Sequence, residues 1–557
     1  MPPQSSLLLP ARPGPEVRPL ARRPPRPRTH RRIPLPLVAV LCVAPLYGIW
    51  AALLETGGGD LAAQYAWAGF AARHPDAAYG LFWYGGTHTA NYSVLSPELM
   101  ALLGVRTVSV LAGLSATWWL AALFRRTARR APVWPALLGA LGLWGNVAMG
   151  RTTFALGLAF GLAGLLALAG RRPRPGRLTI AALGALLATL ASPVAGLFVL
   201  VAGAAYLLDR QYAKSLALAV PPVVAVGLTT LLFPFQGEHP MAAGRMTLPL
   251  LLAAAVALAA PREWRVVRAG AAVYAVGVVL TYLIPSPVGS NVERLAVHLG
   301  PALLLAALLN PGSGAARRSV VRRVRTCALG LALIVSATWS TQSAIHSAWG
   351  LAPVPAWATH TGGVITELGR LGADRGRVEV VNATNHREAA LFAPHVQVMR
   401  GWNRQLDVER GRLFYDGSLD GARYHAWLRR WAVGYVVVPD AEPEGASVPE
   451  AALIRAGQDW LEPVWHDAYW KIYRVADPLP LASAPAEVLN AGEADVVLKM
   501  PRAGTVTVRI AHSPWLRAEG ACVRADGPWT RLTAPGPGVY RLTSSYAAGR
   551  STGPGCR

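Results

Sequence analysis

The chain has 557 residues, 53% of them hydrophobic, and a formal net charge of +24. Apolar runs of about 18 to 20 residues, the length that crosses a bilayer, recur through the first 345 positions, which excludes a wholly soluble protein. The charge does not point to nucleic acid either. Eight Arg lie in residues 12–32, four in 125–130, four in 171–177, then Arg210 with Lys214, three in 262–268 and five in 317–325. Set against Glu16, Asp209 and Glu263, these leave +23 of the +24. Basic residues confined to short connections between apolar runs mark the cytoplasmic face, so the excess has a topological explanation and no nucleic-acid partner is expected.

In chain order, residues 1–32 read as a disordered, basic, Pro-rich cytoplasmic tail. Residues 33–54 are too long for a signal-peptide core and no small-residue cleavage site follows, so they read as an uncleaved first span. Further spans are expected near 105–124, 132–149, 152–170, 215–233, 245–260, 264–284, 295–309 and 326–344. The stretch 178–208 is flanked by basic residues on both sides, which calls for an even number of crossings. At about 46 Å as one helix it is long for one span, and Ala191-Ser192-Pro193 offers a break, so two short helices are predicted. The expectation is a polytopic membrane domain over 33–344, about 11 spans, with the N-terminus inside and the C-terminus outside.

Under that topology, residues 60–106 form a long outer loop with two amphipathic segments, 61–73 and 95–103, expected along the membrane surface. The other outer connections hold Arg151, then Glu238, His239 and Arg245, then Glu293 and Arg294, so ionisable residues gather at one face. Cys42 and Cys327 fall within spans, as inert packing thiols. Cys522 and Cys556 lie in the last domain, where export would permit a disulfide. Arg in preference to Lys, with abundant Ala, Gly and Pro, fits a high-GC bacterial genome.

From 345 the chain becomes polar enough for an exported domain. Residues 345–482 read as α/β, with strands at 378–381, 435–438 and 470–475 and helices near 422–431 and 449–456. Residues 483–557 read as a β-rich subdomain of short alternating strands such as 505–510. The fold class expected is therefore mainly α, with a C-terminal α/β plus β-rich domain.

Gly57-Gly58-Gly59-Asp60 after the first span, Tyr92-Ser93-Val94-Leu95-Ser96-Pro97-Glu98 running on to Gly104, the stretch from Arg106 to Gly113, and Gly150-Arg151-Thr152-Thr153-Phe154-Ala155-Leu156-Gly157 resemble the GT-C superfamily of membrane glycosyltransferases. The resemblance covers roughly residues 33–345 and is nearest to actinobacterial integral membrane proteins of that type. It implies a polyprenyl-phosphate-sugar donor, an envelope glycan, lipid or protein acceptor, and transfer at the outer face of the cytoplasmic membrane.

On that resemblance Asp60 is the general base, taking the proton of an acceptor hydroxyl as it attacks the anomeric carbon with inversion. One Asp stands here without a paired acid, so neither a metal nor another cofactor is expected. Arg294 and Arg151 are the candidates for the leaving phosphate, because forked guanidinium donors match phosphate oxygens and the outer face is otherwise poor in cations. Glu98, His88, His239 and Glu293 are candidates for the acceptor. Trp83, Tyr84 and Tyr92 offer rings that stack on sugars, and Trp402 with Arg404 offers a glycan-binding loop. Two other classes compete: a transporter, which calls for repeated halves and mid-membrane charges, and a non-catalytic scaffold that anchors the outer domain. The enzyme reading requires Asp60, Arg151 and Arg294 to converge around one outward-facing cavity open to the bilayer, and failure to find a lipid-sized groove beside Asp60 would favour the scaffold.

Overall fold

The computed structural model describes residues 33–128, 130–170, 174–311 and 319–546. The tail 1–32 and Cys556 lie outside the described residues. In chain order the helices of the first 350 residues are α1 (Leu35–Ile49, continued by a π-turn over Trp50–Leu54), α2 (Asp60–Arg73), α3 (Thr89–Tyr92), α4 (Ser96–Leu103), α5 (Val105–Thr127), α6 (Val133–Ala148) and α7 (Thr152–Leu168). They continue as α8 (Pro175–Ala191), α9 (Pro193–Leu208), α10 (Tyr212–Leu232), α11 (Thr247–Ala259), α12 (Arg265–Leu283), α13 (Arg294–Leu309) and α14 (Ser319–Gly350).

Among the described residues, five segments are long and apolar enough to cross a membrane: Leu35–Leu54, Val105–Thr127, Tyr212–Leu232, Arg265–Leu283 and Gly289–Leu309. Apolar side chains such as Leu231 and Leu258 (both 79% exposed) point out of the bundle. An apolar exterior of that kind is stable against lipid and not against water, and the chain is a membrane protein. Cys42 and Cys327 are free thiols on that exposed surface, not packing groups between helices. The break at 192 falls where the sequence predicts it. Pro193 has no N–H to lose at the first turn of α9, and the Ser192 hydroxyl accepts from Ala195 N at 3.4 Å.

The two ends of the bundle differ in kind. At one end, basic side chains tie down helix C-termini: Arg126 donates to Leu166 O (3.0 Å), Lys214 to Gly170 O (2.7 Å) and Arg268 to Ala257 O (2.7 Å). Arg325 donates to Ala259 O there, and Arg265 pairs with Asp209 at 3.0 Å. These are the unpaired carbonyls and negative dipole ends that cations satisfy. The opposite end receives the C-terminal region through Trp515 to Leu232 O (2.7 Å), Gln405 to Pro287 O (2.9 Å) and Arg412 to Glu238 (2.8 Å).

The loop between α1 and α5 departs from expectation. α2 is buried nearly all round, with Leu61, Gln64, Trp67, Phe70 and Ala71 inside, so it lies between bundle and C-terminal region and not along a membrane surface. Only α4 is amphipathic in the expected way, with Met100 buried and Leu102 exposed. A short hairpin, β1 (Tyr79–Gly80) with β2 (Thr87–His88), follows α2. Trp83 and Tyr84 are fully buried, bonded to Ala389 O (3.2 Å) and Gly401 O (2.7 Å), so they are core residues with no ring face open to a sugar.

The α/β region contains α15 (Ala356–Thr359), α16 (Gly362–Arg370), β3 (Arg377–Val380), α17 (Arg387–Phe392), β4 (Gln397–Val398), α18 (Arg404–Arg410), α19 (Gly421–Arg430), β5 (Val433–Pro439), α20 (Val448–Arg455), β6 (Leu461–His466) and β7 (Trp470–Val475). Its sheet runs β4-β3-β5-β7-β6, with β4, β3 and β5 parallel. Trp83 extends that sheet beyond β4 by bridging Val398, whose N–H donates to Phe82 O at 2.9 Å. The β-rich region supplies β8 (Glu487–Ala491), β9 (Val496–Met500), β10 (Gly504–Ala511), β11 (Leu516–Ala518), β12 (Cys522–Asp526), β13 (Trp529–Ala534) and β14 (Gly538–Ser544). These make two sheets, β11-β14-β9-β8 and β10-β13-β12, over a core of Val496, Leu498, Val508, Leu532 and Leu542 that also takes Tyr79 and Leu81 from the first loop. Cys522 is disulfide-bonded.

Candidate active site

The N-termini of α2, α7 and α13 bring Asp60, Arg151 and Arg294 to the end of the bundle that meets the C-terminal region. Gly59 precedes Asp60 with φ +62° and ψ −136°, backbone space that is nearly reserved for glycine. Gly150 does the same before Arg151, at φ +76°. A Cβ on Gly150 would come 2.8 Å from the Leu61 backbone nitrogen, so a side chain there would push the α6–α7 turn off the start of α2.

That close approach lets Arg151 Nε donate to Asp60 Oδ2 at 3.2 Å, with the two side chains 25% and 32% exposed. On its other side Arg151 Nη1 lies 3.4 Å from His298 Nε2. His298 is buried, and its Nδ1 faces the Gly142 carbonyl oxygen at 3.1 Å. A carbonyl only accepts, so Nδ1 carries the proton and Nε2 is left to accept from Arg151. His298 is therefore a neutral rest that orients the guanidinium.

Arg294 stands one helical turn before His298, its guanidinium 5.4 Å from the Phe154 ring centroid. Among the described residues it forms no salt bridge. Its neighbour Glu293 is taken by Arg245 in a two-pronged pair of 2.6 and 2.9 Å. Tyr92 completes the group: it stacks on Trp67 with centroids 5.7 Å apart. Burial, with the Asp60 carboxylate adding, pushes the Tyr92 phenol up, so it stays a neutral donor. Arg294 thus adds a second positive charge near the Arg151–Asp60 pair, at a place where three helices also present their positive dipole ends. The local balance is an excess of one positive charge, and an anion with forked acceptors is the complement.

His239 borders this group. Its Nε2 lies 3.2 Å from Ser290 Oγ, and burial, reinforced by Arg404, Arg245 and Arg294, pushes its imidazole down to about 4. The remaining predicted residues stand elsewhere. His88 lies between Ser513 Oγ (2.8 Å) and Asn91 Nδ2 (3.3 Å), on a cavity of about 390 Å³ also lined by Phe235, Arg410, Trp431 and His512. Glu98 is exposed in the first turn of α4. Trp402 is stacked on His386 at 3.5 Å, and Arg404 spends its donors on Tyr415 OH and Glu444, each at 2.6 Å. His298 was missed by the sequence reading, although its place four residues after Arg294 puts both on one helix face.

Residues 483–526 match a family described as a domain of unknown function, DUF8823. No curated protein matches the chain in sequence. A crystal structure of ArnT from Cupriavidus metallidurans in the apo state is similar at 12% identity and TM-score 0.38, covering 78% of this chain and 97% of that one. The structure of the same protein bound to undecaprenyl phosphate is similar at 14% identity and TM-score 0.37, with the same coverage.

Proposed function

We propose that the chain transfers a sugar from a polyprenyl-phosphate donor to an envelope acceptor at the outer face of the cytoplasmic membrane. The observation that carries the reading is the convergence of Asp60, Arg151 and Arg294 from three helices far apart in sequence, with one positive charge in excess. The donor phosphate takes the two guanidinium groups. As it does so it competes with Asp60 for Arg151 and leaves the carboxylate free to accept a proton. The acceptor oxygen then forms its bond to the anomeric carbon, the bond from that carbon to the phosphate oxygen breaks, and configuration inverts. The proton goes to Asp60 and the electron pair to polyprenyl phosphate, whose added charge Arg294 and Arg151 stabilise.

Among the acceptor-side candidates, His239 has the surroundings that support such a role, as a neutral group at the rim of the cation cluster. The proposal includes eleven crossings with the N-terminus cytoplasmic. The gathering of basic residues at the bundle end opposite the C-terminal region supports it, and a disulfide-bonded Cys522 fits an oxidising compartment. Grouping of the site charges at one end also disfavours a transporter, which keeps them at mid-membrane.

The test is Asp60→Asn in membrane-reconstituted protein with labelled polyprenyl-phosphate sugars. The amide keeps the size and hydrogen bonding of the carboxylate but cannot take the proton, so turnover should fall while donor binding stays. Wild-type turnover in this variant would sink the mechanism. Reporter fusions at 174, 212 and 320 should all read the cytoplasm, and an outside signal at 212 would remove the paired helices α8 and α9 as crossings.

A further inference from the structure

We propose that Arg387, in the α/β region, is a positioning residue that holds the glycine turn on which Asp60 is mounted. The inference rests on the reading of Asp60 as the base. Residues 57–59 are all glycine, two of them at positive φ (+80° and +62°). Such a run has almost no conformational preference of its own, so its shape must be imposed from outside.

The imposing groups come from residues 351–387, about 300 positions later in the chain. Arg387 Nη1 donates to the Thr56 carbonyl. Its Nη2 donates to Thr56 Oγ1 at 2.8 Å and to Leu351 O at 3.0 Å. Thr56 Oγ1 donates onward to Ala352 O at 2.8 Å, and Gly59 N donates to Asn385 O at 2.7 Å. A Cβ on Gly58 would lie 2.9 Å from both Arg387 Nη2 and Leu351 O, so the guanidinium packs directly on the turn. Arg387 is 5% exposed and touches none of the cluster around Asp60. It fixes where the backbone enters α2, and Asp60 is the first residue of that helix. Lysine does not replace it, because a point charge on a flexible stem cannot hold Thr56 and Leu351 at once as a planar fork does.

The experiment uses the full chain in nanodiscs, with Arg387→Ala, Arg387→Lys and, as a milder probe, Thr56→Val. Hydrogen exchange should rise at the amides of 57–60 in all three while β3, β5 and β7 keep their protection. With labelled polyprenyl-phosphate sugar, kcat should fall by about 10²-fold in both Arg387 variants, the scale of a misplacement of about 1 Å, with donor KM unchanged. Thr56→Val should lose less. Added guanidinium should restore part of kcat in Arg387→Ala and none in Arg387→Lys, whose side chain still fills the site. It can enter through a cavity of about 450 Å³ lined by Glu55, Thr56, Tyr65, Arg106 and Arg387.

Unchanged exchange at 57–60 in a folded Arg387→Ala, or wild-type kcat in Arg387→Lys, overturns the proposal. So does a kcat loss without guanidinium rescue that comes with loosened β3 and β5, because that pattern describes a staple of the fold. Should Asp60→Asn prove fully active, the functional reading fails by itself, and the exchange data still decide whether Arg387 holds the turn.

Discussion

Two aspartate–arginine pairs stand at opposite ends of the bundle, and they are nearly alike in length: Asp60 with Arg151 at 3.2 Å, and Asp209 with Arg265 at 3.0 Å. Their surroundings separate them. Arg265 is 73% exposed, and its neighbours Arg268, Lys214 and Arg325 each have a carbonyl to bond. Those three cations are satisfied by carbonyls near helix termini. Arg151 is one-quarter exposed and backed by a neutral His298, and among the described residues the nearby Arg294 guanidinium forms no salt bridge. The same ion pair is a tie at one end and, on the function proposed above, part of a binding site at the other, and the difference lies in what the remaining donors have left to do.

The largest effect that separates the pairs is on turnover. Asp60→Asn should lose about 10²- to 10⁴-fold, the usual share of a general base, with donor affinity and detergent stability near wild type. Asp209→Asn should leave turnover unchanged, and an equal loss in both would erase the distinction. Next in size, Arg294→Ala should weaken donor binding by about 1.5 to 3 kcal/mol, a lost charge-assisted hydrogen bond, read by titration with polyprenyl-phosphate sugar. Arg268→Ala should leave that titration unmoved.

A smaller effect concerns acid. Burial first, and Arg410 second, push the His88 imidazole down to about 4, below the ordinary value near 6.5. The folded state therefore favours the neutral ring. Its contribution is complete above about pH 6.5 and drains away as pH falls toward 4, on the order of 1 to 2 kcal/mol by pH 5. Melting curves at pH 7.5 and 5 should show the loss, and His88→Gln should flatten it. The smallest effect is on the tie itself: Arg265→Ala should cost no more than about 1 kcal/mol, as exposed pairs do, in a chemical-denaturation series. A larger cost would mean that the two ends are less different than their geometry indicates.

The bundle was legible because its signals are local. Apolar length, basic connections and the Ser192-Pro193 break each report on a few neighbouring residues, and the strands at 470–475 and 504–511 announce themselves by alternation. That Asp60, Arg151 and Arg294 stand at one end of the bundle was legible for a related reason: each is a charged residue at the end of an apolar run. What stayed hidden was set by distant partners. α2 looks like a surface helix because its Ala and Gly content is compatible with either setting, and only the C-terminal region, nearly 300 residues later, decides that it is buried. Trp83 and Tyr84 look like interfacial aromatics for the same reason. Arg387 sits in a polar stretch with nothing in its neighbourhood to mark a contact with Thr56, 331 positions away.

The strand-like contact of residues 82–84 with β4 bears on the order in which the molecule is made. β4 is two residues long, and its outer side is covered by Trp83 and Phe82 from the first loop. Tyr79 and Leu81 likewise sit in the core of the β-rich region. The C-terminal third of the chain thus completes its interior on side chains that leave the ribosome more than 260 residues earlier. Those must already be delivered to the correct side of the membrane when β3 and β4 emerge. Produced alone, residues 345–557 would present an uncovered sheet edge and an apolar seat for Trp83, which is the usual template for association between copies. The early loop therefore acts as a tethered folding partner, already at high local concentration when its client arrives.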